Sequence, residues 1–169
     1  MINQNKHKGV IFGQAIGDAL GLGAEFMTTE EVNHHYPDGL KDYTLIIQDK
    51  HRSRWQKGSW TDDTDQLLII LDSIINKKGV DLLDIAKGFY DWYQNAPMGI
   101  GLTTLRVLST PQYKKYPQKA SYLAWKLKRG RLAPNGGIMR TSVLGIWQYW
   151  NMEEVLKNAS DVCSLTHYD

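Results

Sequence analysis

The sequence predicts an all-α protein, built as a compact bundle of helices with long loops between them. Apolar residues recur at helical spacing in several segments, Gly and Pro turns separate those segments, and the alternation typical of strands is sparse. With 169 residues the chain is long enough for one domain with a real core. We therefore expect a single domain over residues 1–169.

Composition narrows the function classes. The formal net charge is +2 and most basic residues are scattered, so there is no electrostatic case for binding nucleic acid or an anionic membrane. Cys163 is the only cysteine, which excludes an intrachain disulfide and a zinc cluster and favours a reducing, cytoplasmic setting. Asp72 breaks the longest apolar run and residues 1–6 lack a secretory pattern, so no membrane span is expected.

The first predicted helix lies within residues 9–23. Gly13, Gly17 and Gly21 fall on one face of it, which predicts close packing against another backbone. Asp18 stands among small and apolar residues, where an unpaired carboxylate is costly, so it needs a backbone N–H, a cation or a metal-bound water as partner. Glu25, taken alone, is typical of a surface or helix-end residue.

The polar segment that follows predicts little regular structure. We expect a short helix over residues 30–36, an extended piece over 40–47 and a surface loop over 49–58. Three histidines have no partner at metal-ligand spacing and are expected to be solvated: His34, His35 and His51.

An acidic window opens the next helix. Thr61 is the predicted N-cap, and Asp62 and Asp63 occupy the first turn. Acidic residues there complement the helix dipole, but adjacent carboxylates beside a hydroxyl also suit Mg²⁺ or Mn²⁺. From this window alone the capping role is favoured. The helix is expected to bury one apolar face, formed by Leu67, Ile70, Leu71, Ile74 and Ile75.

The remaining helices follow from caps and apolar spacing. They are predicted over residues 82–94 with Asp81 as cap, over 102–108, over 121–128 with Ser121 as cap, over 138–150 and over 153–163. Trp147, Tyr149 and Trp150 are expected to pack inside.

A glycine-rich turn, Asn135-Gly136-Gly137, leads into the helix predicted over residues 138–150. Backbone N–H groups at such a helix start bind anions, although most turns of this composition are only turns. Arg140 follows, either as a cationic fork toward the ligand or as a partner of a carboxylate.

Four segments together resemble the ADP-ribosylglycohydrolase family, whose members are similar to the dinitrogenase reductase-activating glycohydrolase. In chain order they are Gly17-Asp18-Ala19-Leu20-Gly21 with Glu25, Thr61-Asp62-Asp63-Thr64, Asn135-Gly136-Gly137-Ile138-Met139-Arg140, and Leu165-Thr166-His167. The resemblance implies a compact orthogonal all-α bundle with a binuclear Mg²⁺ or Mn²⁺ centre. It also implies hydrolysis of the glycosidic bond between ADP-ribose and a protein side chain or small acceptor.

The resemblance also implies roles for individual residues. Thr61, Asp62 and Asp63 match metal ligands, and Glu25 and Asp62 match catalytic positions. Residues that match the ribose- and diphosphate-binding positions are Asn135, Gly136, Gly137, Met139 and His167.

The sequence departs from the family pattern in two places. An Asp-x-Asp-Thr/Ser motif that supplies further metal ligands is absent after Asp65, so the chain is expected to be an N-terminal portion, truncated at its C-terminus. An exposed apolar face is then expected, which would favour self-association or a missing C-terminal segment as partner. Gly99 stands where nitrogenase-regulating members have an acidic residue. The alternative function is a non-catalytic ADP-ribose- or nucleotide-binding module, or a structural relative.

Overall fold

The computed structural model describes residues 4–169, so the first three residues of the predicted domain, 1–169, lie outside it. Within the described range the protein is all-helical and contains no β-strand, as predicted. The α-helices are α1 (Gln4–Gly21), α2 (Thr29–His35), α3 (Asp62–Lys77), α4 (Leu82–Gln94), α5 (Leu102–Leu108), α6 (Pro117–Leu127) and α7 (Met152–Ser164).

Helix α3 is the central element of the core. It contacts both α1 and α4, and its buried side chains Leu67, Ile70 and Ile74 pack with Phe89 of α4. Each such aliphatic side chain contributes roughly 1.5–3 kcal/mol when it is fully buried. The predicted apolar face is too wide at its end, because Ile75 is 62% exposed.

Local capping explains where several helices begin. Thr28 and Glu31 form a reciprocal capping box at the start of α2, and Asp81 accepts hydrogen bonds from two backbone N–H groups of α4. Helix α6 begins at Pro117, four residues before the predicted cap. Ser121 instead lies inside α6 and donates to a backbone carbonyl near the end of α7.

The prediction of a helix over residues 138–150 is wrong. Within that range the chain forms one short 3₁₀ turn, Ser142–Gly145, which irregular turns join to the preceding 3₁₀ turn, Asn135–Gly137. Gln14 of α1 fixes this path, because its amide donates to the Met139 carbonyl at 2.6 Å and accepts from the Ser142 hydroxyl at 3.1 Å. These tertiary bonds override local helix propensity.

Two further local predictions were wrong. The extended piece predicted over residues 40–47 contains the 3₁₀ turn Tyr43–Leu45, because Asp42 caps it through the Thr44 N–H. Trp150 and Tyr149, both predicted to pack inside, are 69% and 47% exposed.

The glycine face of α1 is open in the described structure. A Cβ added at Gly13, Gly17 or Gly21 would meet no atom within 4 Å, so the predicted close packing is wrong for residues 4–169. Phe12 and Ile16, beside those glycines, are 63% and 49% exposed. Exposed apolar side chains therefore lie beside the glycine face of α1.

Between residues 4 and 169, no single helix is long and apolar enough to cross a membrane. Two neighbouring segments, Gln4–Ala24 and Thr29–His35, pass a test of length and composition only when joined across a bend of 99°.

Candidate functional site

A cleft of about 970 Å³ lies between the C-terminal half of α1, the start of α3, the loop before α5 and the end of α7. Its size is within the range of small-molecule sites. The cleft brings together residues that are far apart in the sequence. Those predicted from the motifs that line it are Glu25, Thr61, Asp62, Asp63, Asn135, Gly136, Met139 and His167. Gly137 does not line it.

Asp18 joins α1 to the start of α3. Its carboxylate accepts hydrogen bonds from the Thr61 N–H (2.9 Å) and hydroxyl (2.7 Å), and from the Thr64 N–H (3.1 Å) and hydroxyl (2.6 Å). The partner that the sequence required for Asp18 is thus the open end of a helix. Thr61 occupies the N-cap position, but its hydroxyl does not cap the helix, because Asp18 has taken over that role.

Asp62 and Asp63 lie half-buried at the cleft side of α3. Burial and the nearby Asp18 and Glu25 carboxylates raise the pKa of Asp62. Burial, together with Asp18, Asp62 and Glu25, raises the pKa of Asp63 to about 7. The neighbouring Asp65 is turned away from them and accepts hydrogen bonds from the indoles of Trp60 and Trp92, at 2.9 and 3.0 Å. Negative charge is therefore concentrated at one point of the cleft.

The donor chemistry of this point fits part of a hard-metal site. Thr61, Asp62 and Asp63 offer only oxygen atoms, and a divalent cation would offset both the burial and the repulsion that raise the two carboxyl pKa values. Residues 4–169 do not, however, place any three His, Cys, Asp or Glu side chains together as a complete ligand set. The described chain therefore offers a partial set.

Glu25 is exposed at the end of a 3₁₀ turn, as its sequence context suggests, but its carboxylate also has a defined partner. Its carboxylate lies 2.7 Å from His51 Nε2, so the prediction that His51 is merely solvated was wrong. The buried Arg52 donates to the backbone carbonyls of Gly23 and Glu25 and pairs with Asp49, which fixes the turn that carries Glu25. No spacing rule links these residues, because the pair joins positions 26 residues apart.

Arg54 and Trp55 are cleft residues that escaped sequence reasoning. Arg54 lies over the Trp55 ring, 4.6 Å from its centroid, and donates to the Met98 carbonyl at 2.8 Å. Gly99 borders the acidic pair, because a Cβ there would lie 3.4 Å from Asp62 Oδ1. Gly99, one of the two departures noted in the sequence, therefore lies beside Asp62.

The glycine-rich turn is packed against the end of α7. A Cβ on Gly136 would lie 2.6 Å from Cε1 of His167, and one on Gly137 would lie 2.1 Å from Cys163 Sγ. Real Cβ atoms do not approach other atoms so closely. Both glycines thus allow α7 to approach the turn, and Gly136 remains on the cleft wall.

Arg140 is fully buried beneath the cleft and has no carboxylate partner within residues 4–169. Its guanidinium donates to Gln66 Oε1 (2.6 Å), Thr166 Oγ1 (2.7 Å) and the Val162 carbonyl (3.2 Å). It also lies 4.4 Å from the centroid of the Phe89 ring. Arg140 therefore serves as an internal cationic fork rather than as a ligand-facing one.

Comparison with known proteins agrees with the all-helical fold. The family model described as ADP-ribosylglycohydrolase matches residues 2–169. The chain is 34% identical over 98 residues to the ADP-ribosyl-[dinitrogen reductase] glycohydrolase of Rhodospirillum rubrum, covering 58% of this chain and 32% of that protein.

Two longer alignments have lower identity. The chain is 27% identical to the ADP-ribosylarginine hydrolase Tri1 of Serratia proteamaculans, over 96% of this chain and 42% of that protein. It is also 27% identical to the ADP-ribosylhydrolase ARH3 of Gallus gallus, over 96% of this chain and 45% of that protein. The chain thus spans about a third to a half of the length of the curated relatives it matches. Because the family model matches nearly every residue, the chain belongs to the ADP-ribosylglycohydrolase family.

Proposed function

We propose that this protein is a Mg²⁺- or Mn²⁺-dependent hydrolase that cleaves the glycosidic bond between ADP-ribose and a protein side chain or small acceptor. The observation that carries the proposal is the meeting of Asp62, Asp63 and the Asn135-Gly136 turn in one cleft. The relatives named above, which are hydrolases of ADP-ribosyl groups by name, support the same reaction.

The described residues divide the work as follows. Thr61, Asp62 and Asp63 would hold the cation, which when bound polarises water and ribose oxygens. Glu25, oriented by His51, accepts a proton from the attacking water as the water oxygen bonds to the ribose anomeric carbon. The glycosidic bond breaks, and the acceptor group leaves with the bonding electrons and takes up a proton from solvent. Asp62 lies beside this point as the second catalytic carboxylate. The turn at Asn135 and Gly136, with Met139 and His167, would position the ribose and diphosphate.

The test is an assay in which an ADP-ribosylated protein is incubated with Mn²⁺, Mg²⁺ or EDTA. Chromatography measures the free ADP-ribose that is released. We expect release to require the metal and to fall roughly 100-fold or more in the double variant Asp62→Ala, Asp63→Ala. Asp72→Ala is the matched control, because Asp72 is an exposed carboxylate on the same helix outside the cleft. Release that survives both EDTA and the double variant would refute the proposal.

A second candidate function is an ADP-ribose-binding module without catalysis. It is favoured by one observation, the partial ligand set of residues 4–169. This candidate predicts that ADP-ribose binds equally well with Mg²⁺ or EDTA and that no ADP-ribose is released from a modified protein. Metal-dependent release by the unmodified chain would exclude it.

A further inference from the structure

The feature of interest is a chain of hydrogen bonds that runs from the buried Arg140 to the cleft. Arg140 Nη2 lies 2.7 Å from Thr166 Oγ1, and an arginine side chain can only donate. Thr166 Oγ1 is therefore the acceptor of this bond. A charged donor makes such a bond strong and fixes the position of the hydroxyl oxygen.

The second link assigns the proton on His167. Thr166 Oγ1 lies 2.8 Å from His167 Nδ1, and Thr166 is only 1% exposed. The hydroxyl hydrogen of Thr166 has one acceptor among the described residues, which is this nitrogen. If Nδ1 carried the proton, the buried hydroxyl would have no acceptor, which is unfavourable for a donor that water cannot reach. Nδ1 is thus the acceptor, and the ring hydrogen lies on Nε2.

The other ring nitrogen, Nε2, lies beside Gly136, a residue of the cleft wall. His167 lines the cleft beside Gly136, and its Nε2 has no hydrogen-bond partner within residues 4–169. A side chain on Gly136 would obstruct this nitrogen, because its Cβ would lie 2.8 Å from Nε2. Burial and the positive charge of Arg140 lower the pKa of His167 to about 4. The imidazole is consequently neutral at physiological pH.

We propose that Arg140 and Thr166 are positioning residues that fix His167 as the Nε2–H tautomer, which donates a hydrogen bond to an oxygen atom of the ligand in the cleft. The identity of that ligand rests on the proposed function, under which the acceptor is a hydroxyl or phosphate oxygen of ADP-ribose. In this assignment His167 acts toward the cleft neither as a base nor as a cation, because Nε2 already carries its hydrogen.

The tautomer can be measured without any ligand. Long-range ¹H–¹⁵N correlation spectra of the ¹⁵N-labelled protein distinguish Nε2–H from Nδ1–H, and His167→Gln identifies the signals of His167. We expect Nε2–H in the wild type and in Thr166→Ser, and loss of that single tautomer in Thr166→Val, which keeps the shape but removes the hydroxyl. An Nδ1–H tautomer in the wild type would overturn the proposal, even if Thr166→Val did not fold. An unchanged tautomer in Thr166→Val would also overturn it.

The ligand part is tested by titrating ADP-ribose into the same proteins. We expect Thr166→Val to weaken binding about tenfold, as for loss of one oriented hydrogen bond, and Thr166→Ser to stay within about twofold of the wild type. Equal affinity in all three proteins would overturn the ligand part. Absence of binding to the wild type would overturn the proposed function, and the tautomer measurement would still decide the roles of Arg140 and Thr166.

Discussion

At the scale of single residues, Asp18 links the first helix to the acidic end of α3. Its carboxylate satisfies two backbone N–H groups and two hydroxyls that would otherwise lack partners at the helix start. The same carboxylate adds to the repulsion that raises the pKa of Asp63. Asp18 therefore stabilises the position of the acidic pair while it raises the electrostatic cost of ionising it.

We expect Asp18→Asn to lower the free energy of unfolding by about 2 kcal/mol, because an amide presents one acceptor oxygen and two hydrogens to four donors. The loss of hydrogen bonds alone would lower the stability further, but relief of the repulsion between Asp18 and Asp63 offsets part of it. Chemical denaturation at pH 7 gives the value. Asp81→Asn is the matched control, since asparagine caps helices well and that variant should change stability by less than about 0.5 kcal/mol. Equal effects in the two variants would contradict the role of Asp18.

His167 should make the fold sensitive to acid. Its pKa is about 4 in the folded protein and near 6.5 when unfolded, so the unfolded chain takes up the proton first. The free energy of unfolding should therefore fall as the pH drops from 6.5 toward 4, by about 3 kcal/mol more than in His167→Gln. Above pH 6.5 the difference between the two proteins should not depend on pH. Parallel stability curves down to pH 4 would contradict this assignment.

Asp63 should make the fold less stable as the pH rises, which is the opposite of the effect of His167. Its folded pKa of about 7 exceeds the ordinary value of 3.8, so the folded protein holds the proton more tightly. Stability from this group is present below pH 4 and is lost as the pH rises to 7. In EDTA at pH 8, Asp63→Asn should be about 2 kcal/mol more stable than the wild type, a value reduced for partial exposure, and the gain should vanish near pH 4. If the denaturant midpoints of the wild type and Asp63→Asn differed by the same amount at every pH, this prediction would be wrong.

At the scale of elements, the close approach of α7 to the glycine-rich turn determines which glycines are necessary. Gly137→Ala should destabilise the fold by about 1–3 kcal/mol, because the new Cβ would overlap the Cys163 thiol. Adding Cys163→Ala should recover part of that loss, as judged by thermal unfolding of the double variant. If the two changes prove additive, the proposed overlap is wrong.

Gly9→Ala is the control for this prediction. Gly9 lies inside α1, and a Cβ there meets no atom within 4 Å. Helix propensity should make this variant about 0.5–1 kcal/mol more stable than the wild type. Opposite signs at positions 9 and 137 would separate glycines that serve close packing from glycines that only weaken a helix.

Local signals predicted α3 and α4 well, because capping residues and apolar spacing act within a few residues of each other. They failed over residues 138–150, where bonds from Gln14, more than 120 residues away, hold separate turns. The site shows the same division. Asp62 and Asp63 were identified from their motif, whereas the pairing of Glu25 with His51 depends on how two loops meet. Motifs identify chemical groups, and tertiary contacts decide their partners.

At the scale of the whole molecule, one wall of the cleft is the open glycine face of α1. Gly13, Gly17 and Gly21 line the cleft, and Phe12 and Ile16 leave apolar surface exposed beside it. The relatives matched here are two to three times as long as the aligned region. We propose self-association, or association with a further segment, as the way in which this surface is covered.

We propose that the cleft binds ADP-ribose with the help of a divalent cation at Asp62 and Asp63. Calorimetric titration of ADP-ribose into the protein, first with Mg²⁺ and then with EDTA, tests it most directly. We predict saturable binding that requires Mg²⁺ and that is lost in Asp62→Ala, Asp63→Ala but kept in Asp72→Ala. Binding that is unchanged in EDTA would contradict the role of the cation. Absence of binding in both buffers would contradict the assignment of the cleft itself.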